Sequence, residues 1–189
     1  MAEEELGRRL RRLEDRAQIE DLLARYSIAC DLRDFDALAD CFAEDGSFEA
    51  VAGKVTGRAE LVKYYIERFS QYGPTYHVPH AVALDFDGDD HAHGTVLAHS
   101  EIMMAEGLFL SAHHYIDEYV RCDDGKWRLQ SRDNNFLYGM PLSERPAMNW
   151  REPRRRWPGV APVDADIPET AQTWKRFIEQ ISAPATQAD

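Results

Sequence analysis

The sequence predicts an α+β domain in which helices wrap one curved antiparallel sheet, and three observations lead there. Apolar residues recur at helical spacing up to about residue 70. From about residue 76 to 138 the period changes to two, broken by the turn signals Asp87-Gly88-Asp89, Glu106-Gly107 and Asp123-Asp124-Gly125. After Gly139 the texture changes again: six of the nine prolines fall between Pro141 and Pro168. A chain that places its helices first and a continuous meander last is α+β.

The first helix is expected over about residues 4–31, where Leu10, Leu13, Ala17, Ile19, Leu22, Leu23, Tyr26 and Cys30 form an apolar stripe and charged residues fill the other face. A short helix over 34–42 follows, with Asp34 as N-cap and Leu38, Cys41 and Phe42 on its buried side. Asp45-Gly46 marks a turn, and the alternation in 47–51 suggests a short strand. Gly57 precedes a third helix over 58–70, with Leu61, Val62, Tyr65, Ile66 and Phe69 on one face, and Tyr72-Gly73-Pro74 ends it. Four strands then cover 76–86, 91–105, 108–121 and 126–138. Strands this long twist strongly, and three helices laid across one face leave a funnel suited to a ligand.

At 189 residues the chain divides into an α+β domain, residues 1–140, and a Pro-rich extension, 141–189, with a closing helix over 170–181. Trp174, Phe177, Ile178 and Ile181 share one side of that helix, which should dock on its own domain or on a partner subunit. The last eight residues read as disordered. A net charge of −12 disfavours nucleic acid and anionic membranes as partners. The one basic run, Arg154-Arg155-Arg156, lies among prolines and reads as a solvated or subunit-bridging segment. Three cysteines, Cys30, Cys41 and Cys122, with no CxxC spacing indicate neither a disulfide framework nor a zinc ribbon. The acidic opening is no secretory signal and no apolar run spans a membrane, so the cytoplasm is the expected location.

Two titratable residues stand out. Asp31 closes the first helix among apolar or small neighbours, where its carboxylate can turn inward. His77 sits early in the first long strand, sharing a face with the small residues Pro79 and Ala81, which leaves space beside the ring. An imidazole titrates near neutrality, and a carboxylate on its other nitrogen fixes the tautomer and stabilises the imidazolium. His113 and His114 point to opposite faces of their strand, so one of them supplies a further polar group to the funnel. Arg132 and Asn135, near the end of the last strand, are candidates for binding a ligand oxygen. Phe48, Tyr65, Met103 and Phe109 are expected as apolar lining. His91, His93, His99 and Glu101 fit no known metal-ligand spacing. No nucleophile elbow, phosphate loop or dinucleotide fingerprint is present.

The runs Ile19-Glu20-Asp21-Leu22-Leu23-Ala24-Arg25-Tyr26, Asp31, Asp36-Ala37-Leu38, Phe42 and Asp45-Gly46 resemble the opening of SnoaL-like proteins, in the nuclear transport factor 2-like superfamily. His77, Asp87-Gly88-Asp89, Tyr115-Ile116-Asp117, Asp124-Gly125-Lys126-Trp127-Arg128 and Arg132 resemble its second half. The resemblance implies a cone-shaped, cystatin-like α+β barrel, usually a homodimer or homotrimer. Its nearest enzymatic branch is similar to scytalone dehydratase, bile acid 7α-dehydratase and γ-hexachlorocyclohexane dehydrochlorinase, which use an Asp-His pair without cofactor or metal. The pair maps onto Asp31 and His77, a polar residue five before the Asp onto Tyr26, and a late basic residue onto Arg132. Where many members carry Asn four residues after the His, this chain has Ala81. The implied activity is elimination of water, or of halide, from a small apolar cyclic or polycyclic substrate. The alternatives are a ketosteroid-isomerase-like double-bond isomerase and a non-catalytic small-molecule-binding or assembly module.

Overall fold

A computed structural model describes residues 1–50, 53–149 and 151–182. The end of the expected short strand at Val51 and most of the expected disordered tail, 183–189, lie outside them. The element order is α1 (Ala2–Leu32), α2 (Phe35–Asp40), β1 (Phe42–Ala50), β2 (Gly53–Thr56), α3 (Arg58–Ser70), β3 (Thr75–Asp87), β4 (His91–Met104), β5 (Gly107–Arg121), β6 (Trp127–Pro141) and α4 (Gln172–Ser182). The six strands form one sheet in the order β2-β1-β6-β5-β4-β3. The meander is antiparallel throughout, while β1 joins β6 in parallel. β1 begins five residues earlier than its alternation suggests, because Phe42 already pairs with Leu129 before an irregularity resets the register at Ser47. The β2 hairpin partner was not expected: at four residues it is too short to show a period.

The helices cover one face of the sheet. Ile19, Leu22, Leu23 and Tyr26 of α1 and Leu61, Tyr65 and Phe69 of α3 pack against Val96, Tyr115, Tyr119, Trp127 and Leu129 in one continuous core. Two local devices fix the frame near the end of α1. Asp34 caps α2 by accepting from the Ala37 amide (3.0 Å). Arg33 adopts a left-handed conformation (φ 58°), so the following Asp34 amide reaches back to the Ala29 carbonyl and α1 stops at Leu32, one residue after Asp31.

The first meander strand departs from simple alternation. Pro79 has no N–H for the ladder, and β3 bulges between Pro79 and Ala81. The extra residue reverses the parity, so Ala81 lies on the exposed side rather than beside His77. Val82, Leu84 and Phe86 then supply the packed side.

The Pro-rich extension runs back over β6. Gly139 bridges to Arg155, Arg155 bridges to Val163, and the Asp166 and Ile167 amides both donate to the Phe136 carbonyl. The basic run is neither solvated nor free for a partner. Arg154 pairs with Glu169 (2.8 Å), Arg155 with Asp166 (2.9 Å) and Arg156 with Glu144 (3.0 Å). Arg154 also donates to the Leu137 carbonyl and is itself buried, so it ties the strap to β6 while the three ion pairs brace the strap within itself. The closing helix α4 does not dock on its own domain as expected: none of its residues is buried, and Phe177 and Ile181 stand exposed. No helix among the described residues is long and apolar enough to cross a membrane.

Candidate active site

The end of α1 and the start of β3 bring Asp31 and His77 together. The His77 Nδ1–H donates to Asp31 Oδ1 at 2.6 Å, and the His77 backbone N–H donates to Oδ2 at 2.9 Å. An ionised carboxylate only accepts hydrogen bonds, so Nδ1 carries a proton, and in the neutral ring Nε2 keeps its lone pair. Both side chains are mostly buried, Asp31 16% and His77 14% exposed. Burial pushes the Asp31 pKa up, but the hydrogen bonds from the His77 ring, the His77 amide and the Thr75 hydroxyl outweigh it and hold the carboxyl below its usual range.

Sequence reasoning missed the two residues that fix Asp31 in place. Thr75 Oγ1 donates to Asp31 Oδ1 (2.9 Å) and accepts from Arg33 Nη1 (2.8 Å). Arg33 also donates to the Gly73 carbonyl (2.8 Å), and its guanidinium lies 4.2 Å from the centre of the Phe69 ring. Thr75 was within reach of the sequence, two residues before His77 on an alternating strand. Arg33 was not, since nothing in the composition marks a non-glycine residue for the left-handed region.

His77 lines a cavity of about 80 Å³ between α3, the inner face of β3–β6 and the extension. Aromatic rings make most of its wall: Phe48, Tyr64, Tyr65, Phe69, Tyr115 and Phe136. Tyr26 and Tyr65 also face it, and their hydroxyls share a 2.8 Å hydrogen bond. Burial holds both phenols far above the usual tyrosine pKa, so both stay protonated. In such a pair one hydrogen is spent between the hydroxyls and the other is free to donate to a guest.

The remaining expected site residues divide. Tyr26, Phe48, Tyr65 and His113 line the cavity with His77. Arg132 does not: its Nε and Nη2 donate to Asp117 (2.9 and 2.6 Å), and its guanidinium lies between the rings of Tyr26 and Tyr115 at 4.2 and 4.1 Å. Asn135 points the other way, and Asn134 takes its place in the wall. The physical reason is parity. With Arg132 inward, alternation turns Asn134 and Phe136 inward too, so Arg132 and Asn135 never shared a face. Met103 is exposed on the outer face, and Phe109 is buried under Trp157 outside the cavity lining. His91 and His93 are exposed at their hairpin, while His99 meets His80 (2.6 Å) on the outer face. No group of three or more metal-ligating side chains exists among the described residues.

Comparison with known proteins adds four relationships. The profile of the SnoaL-like domain matches residues 11–133. An uncharacterised protein of Mycobacterium tuberculosis (strain ATCC 25618 / H37Rv) is 30% identical over 125 residues, 64% of this chain and 84% of its own length. The type 3 LinA hexachlorocyclohexane dehydrochlorinase of Novosphingobium barchaimii is 26% identical, with a TM-score of 0.65 over 71% of this chain and 94% of that one. A structure from Novosphingobium aromaticivorans, provisionally named a scytalone dehydratase, shares the fold at 18% identity and a TM-score of 0.66, covering 82% of this chain and 95% of its own.

Proposed function

The chain belongs to the SnoaL-like domain family, and from that premise we propose that it is a lyase that calls on no cofactor and eliminates water from a cyclic substrate through the Asp31–His77 pair. The observation that carries this is the 2.6 Å Nδ1–Oδ1 hydrogen bond at the wall of a buried aromatic cavity. The likeness to a dehydrochlorinase, whose name describes an elimination, supports the same class of chemistry.

His77 Nε2 takes a proton from the carbon next to a carbonyl. The electron pair of the broken C–H bond becomes the new C=C bond as the neighbouring C–O bond breaks. The departing oxygen receives a hydrogen bond from the Tyr26–Tyr65 hydroxyl pair, and the proton held on His77 completes the water that leaves. Asp31 stabilises the imidazolium that forms in between. General acid–base help of this kind contributes about 10²–10⁴-fold. The cavity sets the size of the substrate. At about 80 Å³ it is well below the 300–1,000 Å³ of a typical ligand pocket, so a single ring is favoured over a polycyclic one and enters as side chains give way.

The test is turnover of cyclic β-hydroxyketones, read as a new conjugated ultraviolet band together with loss of the mass of one water. His77→Ala and Asp31→Asn should each lower the rate by about 10²–10⁴-fold. A shifted band with the mass unchanged would assign the isomerase alternative, and full turnover in both variants would remove the pair from the mechanism.

The same family premise supports a homodimer or homotrimer. Tyr76, Leu97, Met103 and Ile116 stand exposed on the outer face of the sheet, an apolar surface that a second copy would cover. A monomer mass by light scattering at micromolar concentration would exclude the assembly.

A further inference from the structure

Three buried polar atoms have no hydrogen-bond partner among the described residues and belong to side chains of the same cavity wall: His113 Nε2, Asn134 Oδ1 and Trp157 Nε1. Buried polar groups in folded proteins are almost always paired, so three orphans in one wall mark a site built for a guest. His113 is 3% exposed, and its other nitrogen has only a long contact of 3.4 Å to Ser111 Oγ. His113 is on β5 and Asn134 on β6, two and three strands across the sheet from His77 on β3, and all three line the same cavity. Trp157 comes from the extension, beyond the stretch that matches the family.

We infer that His113, Asn134 and Trp157 form a specificity subsite for an uncharged hydroxyl group on the substrate ring. The substrate class is then an oxygenated ring rather than a halogenated hydrocarbon. This rests on the lyase assignment for the reaction but not for the binding.

The donor and acceptor inventory selects the hydroxyl. The indole N–H only donates, the Asn134 oxygen only accepts, and a neutral imidazole does one at each nitrogen. A hydroxyl accepts from Trp157 and donates to Asn134 or His113, satisfying both kinds of orphan. A halogen or methyl group leaves the acceptors unpaired. A charged guest finds no ionised partner among these three side chains. Burial, with repulsion from His77 and Arg132, pushes the His113 pKa down to about 3, so the ring is neutral at physiological pH. The charge of Arg132 is spent on Asp117. The cation that does line the cavity is Arg68, whose guanidinium lies 5.1 Å from the ring centres of Tyr72 and Trp157.

The experiment is calorimetric titration of the full chain with phenol, toluene, chlorobenzene and benzoate. Phenol should bind at least about tenfold tighter than toluene or chlorobenzene, the reverse of their order of hydrophobicity. Trp157→Phe should weaken phenol alone, and His113→Leu with Asn134→Leu should abolish the preference. Because those leucines replace orphaned polar atoms, the double variant should melt at the same temperature as the parent or higher, which guards against misfolding as the explanation. His77→Ala should keep the phenol preference, so that loss of turnover there and loss of selectivity here are independent results. Equal affinity for phenol and toluene, tighter binding of benzoate, or no binding by any of the four overturns the subsite.

Discussion

Asp117 and Arg132 offer the sharpest test of how the core is held together. Asp117 is 0% and Arg132 1% exposed, and the carboxylate also accepts from the Tyr119 hydroxyl at 2.7 Å. Asp117→Asn keeps the size of the side chain and its contact with Tyr119 but leaves the guanidinium's charge buried and uncompensated. Removing one member of a buried pair typically costs about 3–5 kcal/mol. The Tyr26 and Tyr115 ring faces remain and soften the loss, which places the expected cost near the lower end, about 3 kcal/mol. With a urea m-value of about 2 kcal/mol/M for a chain of this size, the unfolding midpoint should fall by about 1.5 M. The double variant Asp117→Leu with Arg132→Met buries no charge at all and should recover most of that, landing within about 1–2 kcal/mol of the parent. The assay is equilibrium urea unfolding of all three proteins, followed by far-ultraviolet dichroism. A single variant within 1 kcal/mol of the parent, or a double variant as unstable as the single, would refute the view that Arg132 serves the core.

Asp31 gives a pH prediction with a definite sign. Its folded pKa lies below the unfolded value of about 3.9, so its contribution to stability is complete above that pH and is lost as the pH falls through the folded value. The melting-temperature gap between the parent and Asp31→Asn should therefore shrink as the pH falls below about 4; a gap that stays the same from about pH 5 to about pH 2 contradicts the hydrogen-bond assignment. Gly94→Ala should destabilise by about 1–3 kcal/mol, because the added methyl would sit 2.5 Å from the Ala83 carbonyl oxygen and 2.8 Å from Leu84 Cδ2 across the β3–β4 pair. An unchanged unfolding midpoint for Gly94→Ala would mean that the two strands separate there at little cost.

The architecture was legible because its two periods are long and unmixed. A 31-residue helix and four strands of 13 to 15 residues declare themselves, whereas β2, with four residues, does not. Asp31 and His77 could be named as a pair only through the resemblance, since no local pattern says that the end of one helix will meet the start of a strand 46 residues later. What alternation could supply was parity, and it worked until a bulge intervened: His77 was placed well, Ala81 was not. Arg132 looked like a free ligand group because its partner, Asp117, is an unremarkable acidic residue until β5 and β6 lie side by side in register. Trp157 was the least visible, a lone aromatic in a Pro-rich stretch whose path over β6 is set by backbone bonds to Phe136 and Gly139 and by the Arg154 bond to the Leu137 carbonyl rather than by any periodicity.

The strap separates two things that one compact pocket would otherwise tie together. The groups proposed to move the proton are encoded within residues 11–133, and one of those proposed to choose the guest, Trp157, is encoded in the strap. A chain that ended with β6 would keep Asp31 and His77 and lose the indole that lines their cavity. Selectivity in this protein can thus drift, or be engineered, by rewriting about thirty residues downstream of β6 while the reacting pair stays untouched.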